Sequence, residues 1–164
     1  MTASSDPKTA SLLQPSPSLP ESTPPSRPLR TYLVEDSSVI RDNLIELLME
    51  TVPLELVGNA EDEPTAIAWL RQNAQECDLV IVDIFLKSGS GLGALALSGE
   101  PRVGNVKWIV LSNHATTEMR TKCLELGADA VFDKSNEIES LLLYCKKISG
   151  LDVIADVSHS MAAA

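Results

Sequence analysis

Residues 78–84 read "DLVIVDI", four apolar residues in a row between two aspartates. Such a run shows no alternation of apolar and polar positions, so both faces of the segment must be covered. That is the pattern of a central strand in a parallel sheet packed by helices on each side. Asp83 does not fit a purely structural reading. A carboxylate at the end of a buried strand costs several kcal/mol unless a partner compensates its charge.

The segments around this strand alternate between short β-branched runs and longer stretches of helical period, which is the signature of βα units. "LRTYLVE" (29–35) is the first strand. "SSVIRDNLIELLMET" (37–51) is a helix with Ile40, Leu44, Leu47, Leu48 and Thr51 as its apolar face, closed by Pro53. "LELVGNA" (54–60) is the second strand, and Asp62, Glu63 and Pro64 open a helix continued by Ile67, Trp69, Leu70 and Ala74. After the central strand, glycines 89, 91 and 93 predict a loop leading into a short helix. "VKWIVLS" (106–112) is the fourth strand, and "TTEMRTKCLELG" (116–127) is a helix with Gly127 just beyond its C-terminus. "ADAVFD" (128–133) is the fifth strand. The last helix is expected to start near Asn136, with Glu139 as a capping-box partner and Ile138, Leu141, Leu142, Cys145 and Ile148 facing the core. Five such units predict a doubly wound α/β fold, whose functional groups lie at the carboxyl ends of the strands.

At 164 residues and 44% apolar content, the chain has enough material for one core with some tail to spare. Its formal net charge is −10 and its pI is near 4.6, a balance that disfavours contact with nucleic-acid phosphates. Cys77, Cys123 and Cys145 are odd in number and lack metal-ligand or C-x-x-C spacing, so they read as reduced core residues of a cytoplasmic protein. No signal-peptide pattern opens the chain, and no apolar stretch reaches the roughly 18 residues of a membrane span. Seven of the ten prolines and seven serines fall in residues 1–28. That composition predicts a disordered arm, leaving residues 29–149 as the domain and 150–164 as a tail, open between a further helical turn and a frayed end.

At the strand ends stand Glu35 and Asp36 after the first strand, Asp83 after the third, Ser112 after the fourth and Lys134 after the fifth. Three carboxylates in one crevice repel one another unless a cation is present, and Mg²⁺ suits carboxylate and carbonyl oxygens. A hydroxyl and an ammonium beside them make sense if a phosphoryl group arrives.

The ordered set "VED" (34–36), "VIVDIFLKSGSGLGAL" (80–95), "IVLSNHA" (109–115) and "FDKS" (132–135) resembles the receiver domain of bacterial two-component response regulators. The likeness covers about residues 29–149 and implies a flavodoxin-like, five-stranded parallel sheet in the order 2-1-3-4-5 with five helices. It further implies that Asp83 accepts a phosphoryl group from a histidine kinase or histidine phosphotransfer protein. Asp36 would hold Mg²⁺ directly and Glu35 through water, together with Asp83 and the main-chain carbonyl of Phe85. Ser112 would bind the phosphoryl group and Lys134 would pair with it, while Phe85 and His114 would flank it and tune its hydrolysis. Two positions depart from the family pattern. Val131 stands where a switch aromatic is usual, with Phe132 next to it, and Ser135 follows Lys134 in place of proline.

The leading expectation is therefore a single-domain signalling switch with no enzymatic activity beyond its own phosphoryl transfer and autodephosphorylation. Too few residues follow the last helix for an output domain, so output is expected through an unidentified downstream protein, a phosphorelay step or a homodimer. A phosphorylation-independent scaffold is the alternative. A phosphatase with an aspartate nucleophile would place a second aspartate where Phe85 stands, and "GSGLG" (89–93) lacks both G-x-G-x-x-G spacing and a Walker lysine. Taken singly, Asp36 and Ser112 could be helix caps and Lys134 a solvated loop residue.

Overall fold

The computed structural model describes residues 27–100 and 105–150. Most of the predicted arm and nearly all of the predicted tail lie outside the described residues. Five strands, β1 (Leu29–Val34), β2 (Leu54–Ala60), β3 (Leu79–Val82), β4 (Lys107–Ser112) and β5 (Ala130–Asp133), form one parallel sheet in the order β2-β1-β3-β4-β5. Helices α1 (Ser38–Thr51), α2 (Glu63–Asn73), α3 (Gly91–Leu95), α4 (Thr117–Leu126) and α5 (Ile138–Ser149) connect or follow them. The predicted fold class, strand order and helix number are those observed.

Leu79, Val80, Ile81 and Val82 all have zero exposure, so β3 is indeed covered on both faces. The pleat divides the core in two. Tyr32, Val34, Val80, Val82, Trp108, Val110 and Val131 pack with Ala66, Leu70 and Ala94 on one side. Leu33, Leu79, Ile81, Ile109 and Leu111 pack with Leu44, Leu48, Leu141 and Cys145 on the other. All three cysteines are free and buried, two in the first cluster and one in the second.

Local signals hold at most boundaries. Asp62 caps α2 by accepting from Thr65 N at 2.8 Å, with Pro64 in the first turn, and Gly127 follows α4 with φ +124°, a conformation only glycine adopts readily. Three expectations need correction. First, α5 begins at Ile138 behind Glu137, close to Asn136 as expected, but Glu139 forms no capping box and no side chain caps this helix. The Glu137 carboxylate instead accepts from the Asp133 amide and Arg120. Second, the buried face of α1 is narrower than its period suggested: Leu44 and Leu48 are buried, while Ile40 and Leu47 are 38% and 36% exposed. Third, β3 and β5 are shorter than the segments 78–84 and 128–133 predicted for them, and Asp78 and Asp129 lie before the strands as anchors at their entrances.

Those two aspartates act alike. The Asp78 carboxylate accepts from Arg30 N at 2.8 Å and from the Arg30 guanidinium at 3.1 and 3.2 Å, tying the start of β3 to β1. The Asp129 carboxylate accepts from Trp108 N at 2.8 Å, tying the start of β5 to β4. Burial pushes the Asp78 carboxyl up, but the hydrogen bonds and charge of Arg30 outweigh it and hold it below the usual carboxylate range. A depressed pKa gives stability that is present above the unfolded value, near 3.9, and is lost as pH falls through the folded value. Asp78→Asn should therefore lower unfolding stability at pH 7 by about 1–2 kcal/mol. Denaturant titrations at pH 7 and pH 3 should show that difference shrinking at the lower pH.

Candidate functional site

The sheet order puts β1 and β3 side by side at its centre, with the chain leaving β1 toward β2 and crossing back to β3. Their carboxyl ends therefore open into the crevice where doubly wound folds hold ligands. Glu35, Asp36 and Asp83 lie there, each offering a carboxylate oxygen within 4.8 Å of the others. Glu35 and Asp83 are only 3% and 6% exposed, while Asp36 is half-buried.

Lys134 reaches this crevice from β5, two strands away. Its Nζ donates to Glu35 Oε1 at 2.7 Å and to Asp83 Oδ2 at 2.8 Å, and its main-chain N–H donates to the Ser112 carbonyl at 2.9 Å. Burial works against the ammonium, but the hydrogen bonds to Asp83 and Glu35 more than compensate and raise its pKa. Lys134 is thus a held cation and not a solvated loop residue. Burial pushes the Glu35 carboxyl up, only partly opposed by Lys134 and by the Ser37 N–H, which donates to Oε2 at 3.0 Å. Three carboxylates against one ammonium leave a formal two negative charges in the crevice. That surplus and the all-oxygen donor set fit a hard divalent cation.

The remaining predicted residues frame this core. Asp83 Oδ1 accepts from Phe85 N at 3.0 Å, fixing the turn after β3. Ser112 has zero exposure, and its Oγ accepts from His114 N at 3.3 Å. Its link to Lys134 runs through the main chain. The Phe85 ring is half exposed and meets His114 edge-on with centroids 6.1 Å apart. Asp36 is not the cap of α1: Ser37 fills that role by accepting from Ile40 N, and Asp36 Oδ2 accepts from Lys87 N instead.

The two departures noted in the sequence have distinct structural outcomes. Val131 is buried among Val110, Cys123 and Met119 on one face of the sheet. Phe132 points to the opposite face, edge-on to Tyr144 at 5.9 Å. The neighbouring aromatic therefore cannot substitute for a missing one at 131, because adjacent strand residues face opposite ways. Among the described residues every peptide bond is trans, Lys134–Ser135 included.

A further set of residues escaped sequence reading. Arg120 donates to the Ala115 and Val131 carbonyls at 2.9 and 3.1 Å and to Glu137 Oε1 at 2.7 Å. The Asp133 carboxylate accepts from Ser135. These side chains strap the loops after β4 and β5 together. Their hydrogen bonds, above all those of Arg120 to Glu137 and of Ser135 to Asp133, hold both carboxyls below their usual range. Isolated charged residues on exposed-looking helix ends carry no spacing signal that would have revealed them.

Residues 32–146 match the family of the response regulator receiver domain. The chain belongs to this family. The chain is 26% identical over 136 residues to Response regulator UvrY of Escherichia coli (strain K12), covering 82% of this chain and 61% of that protein's length. Its fold matches the signal receiver domain of the response regulator NarL from Mycobacterium tuberculosis with a TM-score of 0.63 at 19% identity, covering 74% of this chain and 98% of that one. It also matches the phosphorylated cyanobacterial phytochrome response regulator RcpA with a TM-score of 0.60 at 28% identity, covering 74% and 91%.

Removing the mutual repulsion of the three carboxylates should stabilise the receiver domain. Millimolar Mg²⁺ is expected to raise its thermal unfolding temperature at pH 7, by about 2.7 kcal/mol of stability at a hundredfold excess over Kd. Differential scanning calorimetry should show that increment lost in Asp83→Ala. It should also fade on acidification, starting above the ordinary glutamate range, since the raised Glu35 carboxyl takes up a proton there and protons compete with the cation.

Proposed function

We propose that this receiver domain is a Mg²⁺-dependent switch phosphorylated on Asp83 by a histidine kinase or histidine phosphotransfer protein. One observation carries the reading: the Asp83 carboxylate, 6% exposed, sits at the end of the central strand within an acidic cluster and against the Lys134 ammonium. A buried carboxylate held against a cation within an acidic cluster is arranged for nucleophilic attack on a phosphoryl group.

A carboxylate oxygen of Asp83 attacks the phosphorus of a phosphohistidine. The P–N bond breaks, its electron pair leaves with the imidazole, which takes a proton from solvent, and an aspartyl phosphate remains. Glu35, Asp36, Asp83 and the Phe85 carbonyl would hold Mg²⁺, which neutralises phosphoryl charge when bound. Lys134 transfers its hydrogen bond from Asp83 to a phosphoryl oxygen, and the Ser112 hydroxyl holds another. Attack of water on phosphorus later releases phosphate and restores the carboxylate. The protein turns over no other substrate in this reading. Output passes to a downstream protein or a second copy of the chain, in keeping with a net charge of −10 that disfavours nucleic acid. Three free cysteines support a reducing compartment, so we place the protein in the cytoplasm. Among the described residues, no helix is long and apolar enough to cross a membrane.

Incubation with a small phosphodonor and Mg²⁺ should give an acid-stable, base-labile adduct of one phosphoryl group, absent in Asp83→Asn and with EDTA. Absence of any adduct with every donor would leave a phosphorylation-independent scaffold. Once labelled, the domain should lose its phosphoryl group at a different rate in Phe85→Ala and His114→Ala. Unchanged decay in both variants would show that the Phe85–His114 ring pair does not govern water access.

A further inference from the structure

We propose that Arg120, paired with Glu137, is a positioning residue for Lys134 and so for phosphoryl transfer to Asp83. The inference rests on the reading of Lys134 as a group that holds a phosphoryl oxygen. Lys134 follows β5, which lies at the edge of the sheet and among the described residues pairs with β4 alone. Just past the last paired residues, Ser112 and Asp133, the Lys134 N–H donates to the Ser112 carbonyl at 2.9 Å. Main-chain groups point to alternate sides along a strand. Phe132 therefore faces β4 as Lys134 does, while Val131 and Asp133 turn their N–H and C=O groups to the open edge. An edge strand lacks the second row of hydrogen bonds that fixes an interior one.

Arg120 and Glu137 supply that row at the residues leading into Lys134. The guanidinium donates through Nη1 to the Val131 carbonyl at 3.1 Å, and Glu137 Oε1 accepts from the Asp133 N–H at 2.8 Å. A donor to residue 131 and an acceptor for residue 133 are what a residue of a further parallel strand would offer opposite Phe132. The ion pair closes the unit, with Arg120 Nη2 donating to Glu137 Oε1 at 2.7 Å, and the Nε bond to the Ala115 carbonyl at 2.9 Å fixes the plane of the guanidinium. Exposed ion pairs contribute little by themselves, but this one, with each side chain 33% exposed, is bonded to main chain from both partners. The consequence falls on Lys134, whose Nζ has to reach Glu35 and Asp83 across β4. Displacing a group at the reacting centre by about 1 Å can cost about 100-fold in rate. Lysine cannot replace Arg120 here, because an ammonium lacks the planar fork that serves two carbonyls and a carboxylate at once.

With the full chain at saturating Mg²⁺, aspartyl phosphate formation from acetyl phosphate should be about 10-fold slower in Arg120→Ala, the worth of one hydrogen bond to a charged group. Arg120→Lys should be slowed by a similar factor. In a Lys134→Ala background, Arg120→Ala should slow the reaction no further. A parent-like rate in Arg120→Ala, or the same loss in both backgrounds, would overturn the inference, the latter pointing to general destabilisation. If Arg120→Ala does not fold, or Lys134→Ala labels too slowly to time, amide hydrogen exchange in Arg120→Lys decides. The Lys134 N–H should exchange about 10-fold faster than in the parent while the amides of β3 keep their rates. Unchanged exchange at Lys134, or an equal acceleration in β3, would overturn the proposal. Failure of the parent to form any adduct, or a parent-like rate in Lys134→Ala, would instead overturn the reading of the phosphoryl site, and the positioning role with it.

Discussion

The structure turns on a charge problem: three carboxylates converge at the end of an apolar sheet, and one lysine from the far edge reaches in to hold two of them. Without Lys134, Glu35 and Asp83 would be buried like charges with no counter-ion, an arrangement that costs more than most single interactions contribute. With it, the crevice keeps a surplus of two negative charges. That surplus is destabilising for folding and useful for binding, the kind of conflict found at functional sites.

The sheet makes this arrangement available. Glu35 lies at the end of β1 and Asp83 at the end of β3, neighbours in space although 48 positions apart, and Lys134 spans β4 to meet them. Apolar packing on both faces of β3 fixes the strand along its length, so the carboxylate that follows is delivered with little freedom. At the opposite edge, Asp78 and Asp129 anchor strand entrances by binding main-chain amides. Acids at the two ends of the sheet thus do different work. Those at the entrances are satisfied by fixed donors, whereas those at the exits keep unsatisfied charge.

The loops around the crevice are joined by polar straps. Arg120, Glu137 and Asp133 connect the turns after β4 and β5, and Lys87, Glu63 and Asp36 connect those after β1, β2 and β3. With Val131 packed into the core and Phe132 on the other face, no aromatic side chain at these two positions faces α4.

By itself, the sequence determined the alternation of βα units, the doubly covered strand, and the acids, serine and lysine at strand ends. These are readable because apolar periodicity and turn residues are local signals. The capping box expected from Glu139 at the start of α5 is absent, and Glu137 instead ties that end by accepting from Arg120 and the Asp133 amide. The apolar face of α1 was overestimated because period identifies a face but not how much of it a neighbouring element covers. Only the tertiary structure decided that Lys134 lies between Glu35 and Asp83, that Asp36 answers to Lys87 rather than to its own helix, and that Phe132 cannot stand in for Val131. Each depends on which way a side chain points across a gap between distant segments, and local sequence carries no record of that.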